Sequence, residues 1–486
     1  MASEVTSETE TATPASPSRS GNILNTVMNP SRRGSSHRTE FIAGLTTFVT
    51  MAYIIFVNTD IMVGTKEHPT GLDPKALIIG TIFAAIVPTL FMGIWADLPW
   101  ALAPGLGYNA LFAYTVVGQR GIPAPIALAL VFLDGLAFLL IVIGPWRNSI
   151  MKGIPLAIKL AAGAGIGLFI AYIGFNNATL IDFSSGLPAL SRLNNPAALI
   201  ALAGILITAL LLAWRVRAAL LIGIIVTAGI AWATALIDPS TRTALLGATP
   251  NPTASLNSFI ALPDLGYFWQ HKGALDFAGL FGSGAGHIAS GAIILFFLTF
   301  LVTDMMDSVG TFSGLATKIG ILDKDGDFPR SGRALMVDAA AGMWGPLTGN
   351  ATIATFIESA AGESEGGKTG LTSVWVAIFF ILALFFVPFI GLVPAVATAP
   401  ALIVVGFLMI EPVVQIGFNK ITDGLPAFLA LITMPLTYSI ADGMFVGIVS
   451  YVVLKVLTGK IREISWVMWL FAILLLAAKI LDAAGL

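Results

Sequence analysis

Long apolar runs, separated by short polar or glycine- and proline-containing breaks, fill almost the whole chain after residue 40. A helix needs about 20 apolar residues to span the hydrocarbon of a bilayer. Runs at about 41–63, 75–96, 106–118, 123–144, 154–175, 196–214 and 218–237 therefore predict seven spans. A polar, proline-containing connection, 238–287, separates these from seven more at about 288–315, 333–349, 351–362, 370–390, 393–411, 425–437 and 442–458. The stretch 464–481 reads as an additional C-terminal apolar helix, in or beside the bundle. The period-two alternation of an outer-membrane strand barrel is absent, so the spans are read as helices, which satisfy their own backbone hydrogen bonds in lipid. The predicted fold is an all-α polytopic membrane protein of about 14 transmembrane helices.

The first 38 residues, rich in Ser, Thr, Glu, Ala and Pro, have no apolar face and read as a disordered N-terminal tail without the features of a signal peptide. Arg32, Arg33 and Arg38 just before the first span favour a cytoplasmic N-terminus. Alternation from there places Arg147, Lys152, Arg215, Arg217, Lys318, Lys324, Arg330, Arg333, Lys455, Lys460 and Arg462 on the same side, in agreement with the positive-inside rule. Because each half holds an odd number of spans, the two sets of seven enter the membrane from opposite sides, the topology of an inverted repeat. Corresponding segments of the two halves are short and broken by Gly and Pro: Leu98-Pro-Trp-Ala-Leu-Ala-Pro-Gly-Leu-Gly-Tyr-Asn109 opens the third span, and Gly345-Pro-Leu-Thr-Gly-Asn350 leads into the tenth. Discontinuous spans leave backbone groups and helix N-termini near the midplane, where a ligand can use them.

Composition narrows the chemistry. The 486 residues are 56% hydrophobic and 11% charged, and a net charge of -2 argues against nucleic acid as a partner. The absence of cysteine excludes disulfides, thiol nucleophiles and thiolate metal sites. His37, His68, His271 and His287 all fall in tails or connections and form no HExxH pair, so neither a metal nor a cofactor is expected. Gly282–Gly286 lacks the strand and the Lys-Ser/Thr of a nucleotide loop. Asp323–Asp327 lacks the later Gly and Glu of a calcium loop, since Phe328 and Ala334 stand there.

The candidate chemistry is acidic. Asp304 and Asp307 stand at i and i+3 inside the eighth span, with Ser308 and Thr311 extending the same stripe. A carboxylate at that depth costs roughly 2.5 to 3.5 kcal/mol on insertion scales. Such a pair either bonds a neighbouring helix or serves a substrate or proton path. Glu358, with Thr352, Thr355 and Ser359 nearby, is either a glutamate at a helix end or an acceptor for two N–H groups of a planar heterocycle, and Phe356 is placed to stack on such a ring or simply to pack. Asn109 follows Gly105 and Gly107 and serves either as a helix cap or as a ligand amide. Asp134, mid-way along the fourth span, is a core hydrogen-bonding group or a second proton site, and Asp338 on the ninth raises the same question. Lys159 lies near a span end and snorkels.

Four stretches in order, Thr50-Met-Ala-Tyr-Ile-Ile-Phe-Val-Asn58, Ala101-Leu-Ala-Pro-Gly-Leu-Gly-Tyr-Asn109, Asp304–Thr311 and Thr355-Phe-Ile-Glu-Ser-Ala-Ala-Gly362, resemble AzgA-like purine permeases. These are the hypoxanthine, guanine and adenine carriers of the nucleobase/ascorbate transporter superfamily. The resemblance covers about residues 40–460. It implies a 7+7 inverted repeat with a core domain (41–144 and 288–390) and a gate domain (154–237 and 393–458), substrate lying between them. It also implies purine binding by Asn109, Asp304, Asp307 and Glu358 with Phe356 beside the ring, and proton coupling through Asp304, Asp307 or Asp134. Phe356 replaces an expected Tyr, and Tyr108 a smaller aliphatic residue. The expected protein is a proton-coupled purine importer of the plasma membrane (the inner membrane of a bacterium), with self-association as a homodimer allowed. Its rivals are a related xanthine/uracil carrier, an anion carrier of the same fold, which an acidic site suits poorly, and an intramembrane aspartyl protease, whose GxGD context is missing.

Overall fold

The computed structural model describes residues 29–65, 68–144, 153–182, 188–191, 195–247, 249, 259–282, 290–321 and 328–484. Residues 1–28 of the expected tail, most of Gly282–Gly286, the Asp323–Asp327 turn and the cations Arg147, Lys152 and Lys324 lie outside the described residues.

Helices form where the apolar runs predict them. The first span is α1 (His37–Met51) and α2 (Ile54–Val63), separated by a break at Ala52 and Tyr53; α3 (Pro74–Phe91) continues as a wider turn through Met92–Ala96. The N-terminal Pro of α3 has no N–H to leave unpaired, and Asp73 Oδ1 accepts the N–H of Ala76 at 2.7 Å. The chain then runs through strand β1 (Leu102–Pro104), short helix α4 (Leu106–Ala110, prolonged to Gln119), α5 (Ala124–Ile143), α6 (Leu156–Asn177), α7 (Pro196–Ala213) and α8 (Ala219–Ile237). The second half holds α9 (Ser290–Lys318), α10 (Ser331–Leu347), strand β2 (Ile353–Thr355), α11 (Ser359–Ser364) and α12 (Gly370–Ala383). It ends with α13 (Ala395–Met409), α14 (Ile421–Thr437), α15 (Ile440–Leu457) and α16 (Trp466–Ala483). Among the described residues, ten helices are long and apolar enough to cross a membrane. The C-terminal helix α16 packs against α9 and α15, so it belongs to the bundle.

The two broken segments depart from an all-helical reading. β1 and β2 pair antiparallel, with Leu102 opposite Thr355, Ala103 opposite Ala354 and Pro104 opposite Ile353. Their ends are closed reciprocally. Ser359 Oγ accepts the N–H of Ala101 at 2.9 Å, and Asn109 Oδ1 accepts the N–H of Ala351 at 2.9 Å. Extended backbone deep in a membrane protein must find partners within the protein, and each segment supplies them to the other. The tenth span, expected as helix from 351, is therefore extended over Ile353–Thr355 and helical only from Ser359.

At one end of these helices a polar junction fixes the segments that carry the crossing. Asp97 sits in the left-handed region (φ 52°) and accepts from the Gly370 N–H at 2.9 Å, from Arg33 Nη2 at 2.9 Å and from Arg330. Arg33 also reaches the Lys368 carbonyl at 2.8 Å. Glu40, fully buried, accepts from the N–H of Lys368 and from the Thr372 hydroxyl.

Candidate functional site

The acidic stripe on α9 faces two different surroundings. Asp304 is 1% exposed, whereas Asp307, one turn on, is exposed. A step of three residues rotates a side chain by about 60° around the helix, enough to turn one carboxylate into the bundle and leave the other accessible. Around Asp307, close enough to act on it electrostatically, are Asp338, the Tyr108 hydroxyl and Glu358. Tyr108, 3% exposed, also donates to the Thr303 carbonyl at 3.3 Å.

Glu358 immediately precedes α11 and is half-buried. Its Oε1 accepts a 2.6 Å hydrogen bond from the hydroxyl of Tyr53, which lies in the break between α1 and α2. Phe356 is 8% exposed, and its N–H continues the β pairing to the Ala101 carbonyl at 2.9 Å. Asn109 is fully buried, and its amide is engaged on both sides: Oδ1 by Ala351, and Nδ2 as a donor to Asn58 Oδ1. Asn58 Nδ2 donates in turn to Asn350 Oδ1 at 2.7 Å and lies 2.8 Å from Thr81 Oγ1. One lone pair and one N–H of Asn109 remain beyond these bonds.

The other buried carboxylates differ in the company they keep. Asp338 Oδ1 accepts from the Thr355 N–H at 3.0 Å and the Thr355 hydroxyl at 2.7 Å, while Oδ2 accepts from Ser308. Asp134 and Asp304 have no hydrogen-bond partner on any of their four carboxyl oxygens. Of the residues singled out from sequence, Asp307 and Glu358 lie within electrostatic reach of each other, Phe356 and Asn109 lie in the crossing, and Asp304 is buried within electrostatic reach of Asp134. Tyr53 and Asn58 were missed. Both lie in the Thr50–Asn58 stretch, where Asn58 is a lone amide in an apolar run and was the available signal. Among the described residues, no group of three His, Asp or Glu side chains is placed to hold a metal.

The arrangement offers two accessible carboxylates within electrostatic reach of each other, with the hydroxyls of Tyr108 and Tyr53 alongside, acceptors suited to a neutral molecule bearing several N–H groups. Residues 38–472 match the family model Xan_ur_permease, described as a permease family. A permease of Methanocaldococcus jannaschii is 41% identical over 442 residues, covering 91% of this chain and 94% of that one. The guanine/hypoxanthine permease PbuG of Bacillus subtilis is 36% identical (91% of this chain, 96% of that one) and the adenine permease AdeP of Escherichia coli 33% identical (91% and 93%). Among solved structures, the murine Slc26a9 anion transporter in its inward-facing state aligns with a TM-score of 0.60 at 12% identity, over 92% of this chain and 74% of that one. The transmembrane domain of a cyanobacterial bicarbonate transporter aligns with a TM-score of 0.53 at 14% identity, over 84% and 97%.

Proposed function

The chain belongs to the Xan_ur_permease family of permeases, and from that premise we propose that it imports purine nucleobases (hypoxanthine, guanine or adenine) by proton symport with alternating access. It is a multi-pass membrane permease and not an enzyme. The purine reading rests on the names of its relatives, and the single observation that carries it here is the approach of two accessible carboxylates, Asp307 and Glu358, to within electrostatic reach of each other beside the crossed segments. In this reading Glu358 accepts the purine N–H edge. The spare groups of Asn109 and the backbone of the crossing meet its acceptors, and Phe356 packs beside the ring. Asp304, Asp307 or Asp134 exchanges the proton.

The same reading makes the two halves an inverted 7+7 repeat, with α1–α5 and α9–α12 as the core and α6–α8 and α13–α15 as the gate. Two observations support it: the reciprocal closure of β1 and β2 by Asn109 and Ser359, and the packing of α6 on α13 and α14 apart from that of α10 on α5 and α12 on α1. A cytoplasmic N-terminus in the plasma membrane places Arg215, Arg217, Lys318, Arg330 and Arg333 inside. Movement of the gate against the core then opens the site to either side in turn. One charge entering down 100 mV is worth about 2.3 kcal/mol, which supports roughly fifty-fold accumulation of a neutral base. Anion carriage, as named for the structural neighbours, would set a negative solute against Asp307 and Glu358 and is disfavoured.

The test is uptake of radiolabelled hypoxanthine, guanine, adenine, xanthine and uracil by transporter-deficient cells, with and without an uncoupler. Purine uptake lost in Glu358→Ala and Asp307→Ala carriers that reach the membrane is the expected result. Wild-type carrier that takes up none of the purines, or variants that transport normally, would overturn it.

A further inference from the structure

Four contacts join the core helices to the gate helices at one end of the bundle. Thr398, in the first turn of α13, donates its hydroxyl to Asp60 Oδ2 near the end of α2. In the continuation of α4, Gln119 Nε2 donates to the Thr437 carbonyl at 3.1 Å and Thr115 Oγ1 to the Tyr438 carbonyl at 3.3 Å. Tyr438 turns the chain between α14 and α15 in the left-handed region (φ 56°), a conformation disfavoured for tyrosine and sustained by its surroundings. Its ring packs edge-on against Tyr114 of the core at 5.8 Å and against Phe169 of α6 at 5.3 Å.

The face of α9 that carries Asp307 changes character at that residue. Toward the start of the helix the same stripe is buried, with Thr303, Phe300 and Phe296 at i−4, i−7 and i−11; toward Lys318 it is exposed at Gly310, Gly314 and Thr317, at i+3, i+7 and i+10. Ionisable side chains in a span face the bundle interior or water. The two ends are opposite ones. Arg330, just past α9, meets Arg33, just before the first span, on Asp97, whereas Asp60 lies at the far end of that span.

We propose that the site is open toward Lys318 and shut at the opposite end by a latch, the Asp60–Thr398 bond together with the Tyr438 turn held by Thr115 and Gln119, which parts to admit purine. On the orientation proposed above the latched end is outside. Hydrogen bonds suit this duty because water replaces each one when it breaks, so the net cost of parting is small. The inference rests on the core-and-gate reading of a purine carrier for its cargo, while the sidedness of access does not involve purine.

The chain contains no cysteine, so introduced thiols report alone. In the first arm, full-length carrier bearing Gly310→Cys, where a Cβ meets nothing within 4 Å, is treated with a membrane-impermeant methanethiosulfonate in inside-out and right-side-out vesicles. Modification should be fast in the inside-out vesicles and at least tenfold slower in the others. In the second arm, Gln119→Cys with Thr437→Cys, both exposed positions, is bridged by a short bifunctional thiol reagent. Hypoxanthine uptake should stop on bridging and return with reductant. In the third, Thr398→Val removes a bond to a carboxylate, raises the outward-open fraction about tenfold and lowers the KM for external hypoxanthine by the same factor. Merely structural damage would raise that KM. Equal reactivity of Gly310→Cys from both sides, no reactivity from the inner side, uptake by the bridged carrier, or an unchanged or raised KM in Thr398→Val would overturn the latch. A wild-type carrier that takes up no purine would instead refute purine carriage, and the sidedness of Gly310→Cys modification would still decide which end is shut.

Discussion

Tyr53 holds Glu358 in place: its hydroxyl donates a 2.6 Å hydrogen bond to Oε1 from a buried position in the break of the first span. One carboxylate oxygen is thereby fixed. Hydrogen bonds to charged groups contribute about 1.5 to 3 kcal/mol, and a preoriented acceptor spares a ligand the cost of ordering it. Tyr53→Phe keeps the ring and removes the bond. We expect the KM for purine uptake to rise about tenfold, the lower end of that range, with a smaller effect on maximal rate. Saturation kinetics at matched surface expression check this, and an unchanged KM would show that Tyr53 does not orient the acceptor.

Much of this architecture is legible in the chain, for physical reasons that differ by element. Membrane helices announce themselves because about 20 apolar residues in a row have few other uses, and Pro99, Pro104, Gly105, Pro346 and Gly349 announce the two interruptions. The pairing of β1 with β2 is not legible, since strands of three residues are too short to show a period. The i, i+3 spacing of Asp304 and Asp307 suggests one shared face, but only the packing of α5 and α10 decides that Asp304 looks inward. Tyr53 is one aromatic in an apolar run, and its partner lies 305 residues away.

The junction at Asp97 ties four chain segments together through Arg33, Arg330 and Gly370. Its carboxylate is 7% exposed and both arginines about a third exposed, so solvent screens part of the attraction. Removing the charge while keeping the shape, as in Asp97→Asn, leaves two guanidinium groups crowded together. Against the 3 to 5 kcal/mol typical of broken buried pairs, about 2 kcal/mol is expected here, seen as a lower melting temperature of detergent-purified carrier. Arg33→Ala and Arg330→Ala should each cost less, and a stable Asp97→Asn protein would mark the junction as energetically idle.

Gly349 closes α10 ahead of the crossing with φ +82°, and a Cβ there would lie 2.2 Å from the Lys272 carbonyl oxygen. Both the left-handed backbone and the contact exclude a side chain. Gly349→Ala should cost about 2 to 4 kcal/mol from strain and overpacking combined, and should lower the yield of monodisperse protein on size-exclusion chromatography. Gly163→Ala, where a Cβ meets nothing within 4 Å, is the matched control and should behave as wild type.

Asp338 separates a supporting carboxylate from a proton-exchanging one. Its three hydrogen bonds attach β2 to α10 and to Ser308 of α9. In Asp338→Asn the amide oxygen can keep both bonds from Thr355. The amide nitrogen can donate to Ser308, whose hydroxyl can turn to the Asp304 carbonyl 2.9 Å away. That variant should therefore lose only about 1 kcal/mol of stability and still accumulate purine. Asp338→Ala strands the buried N–H of Thr355 and frees β2, so it should lose about 3 kcal/mol, the upper end for an unsatisfied buried group, and transport poorly. Accumulation ratios and melting curves of the two variants together decide the matter. If Asp338→Asn melts like wild type yet no longer accumulates purine, Asp338 exchanges the proton and its role is not support.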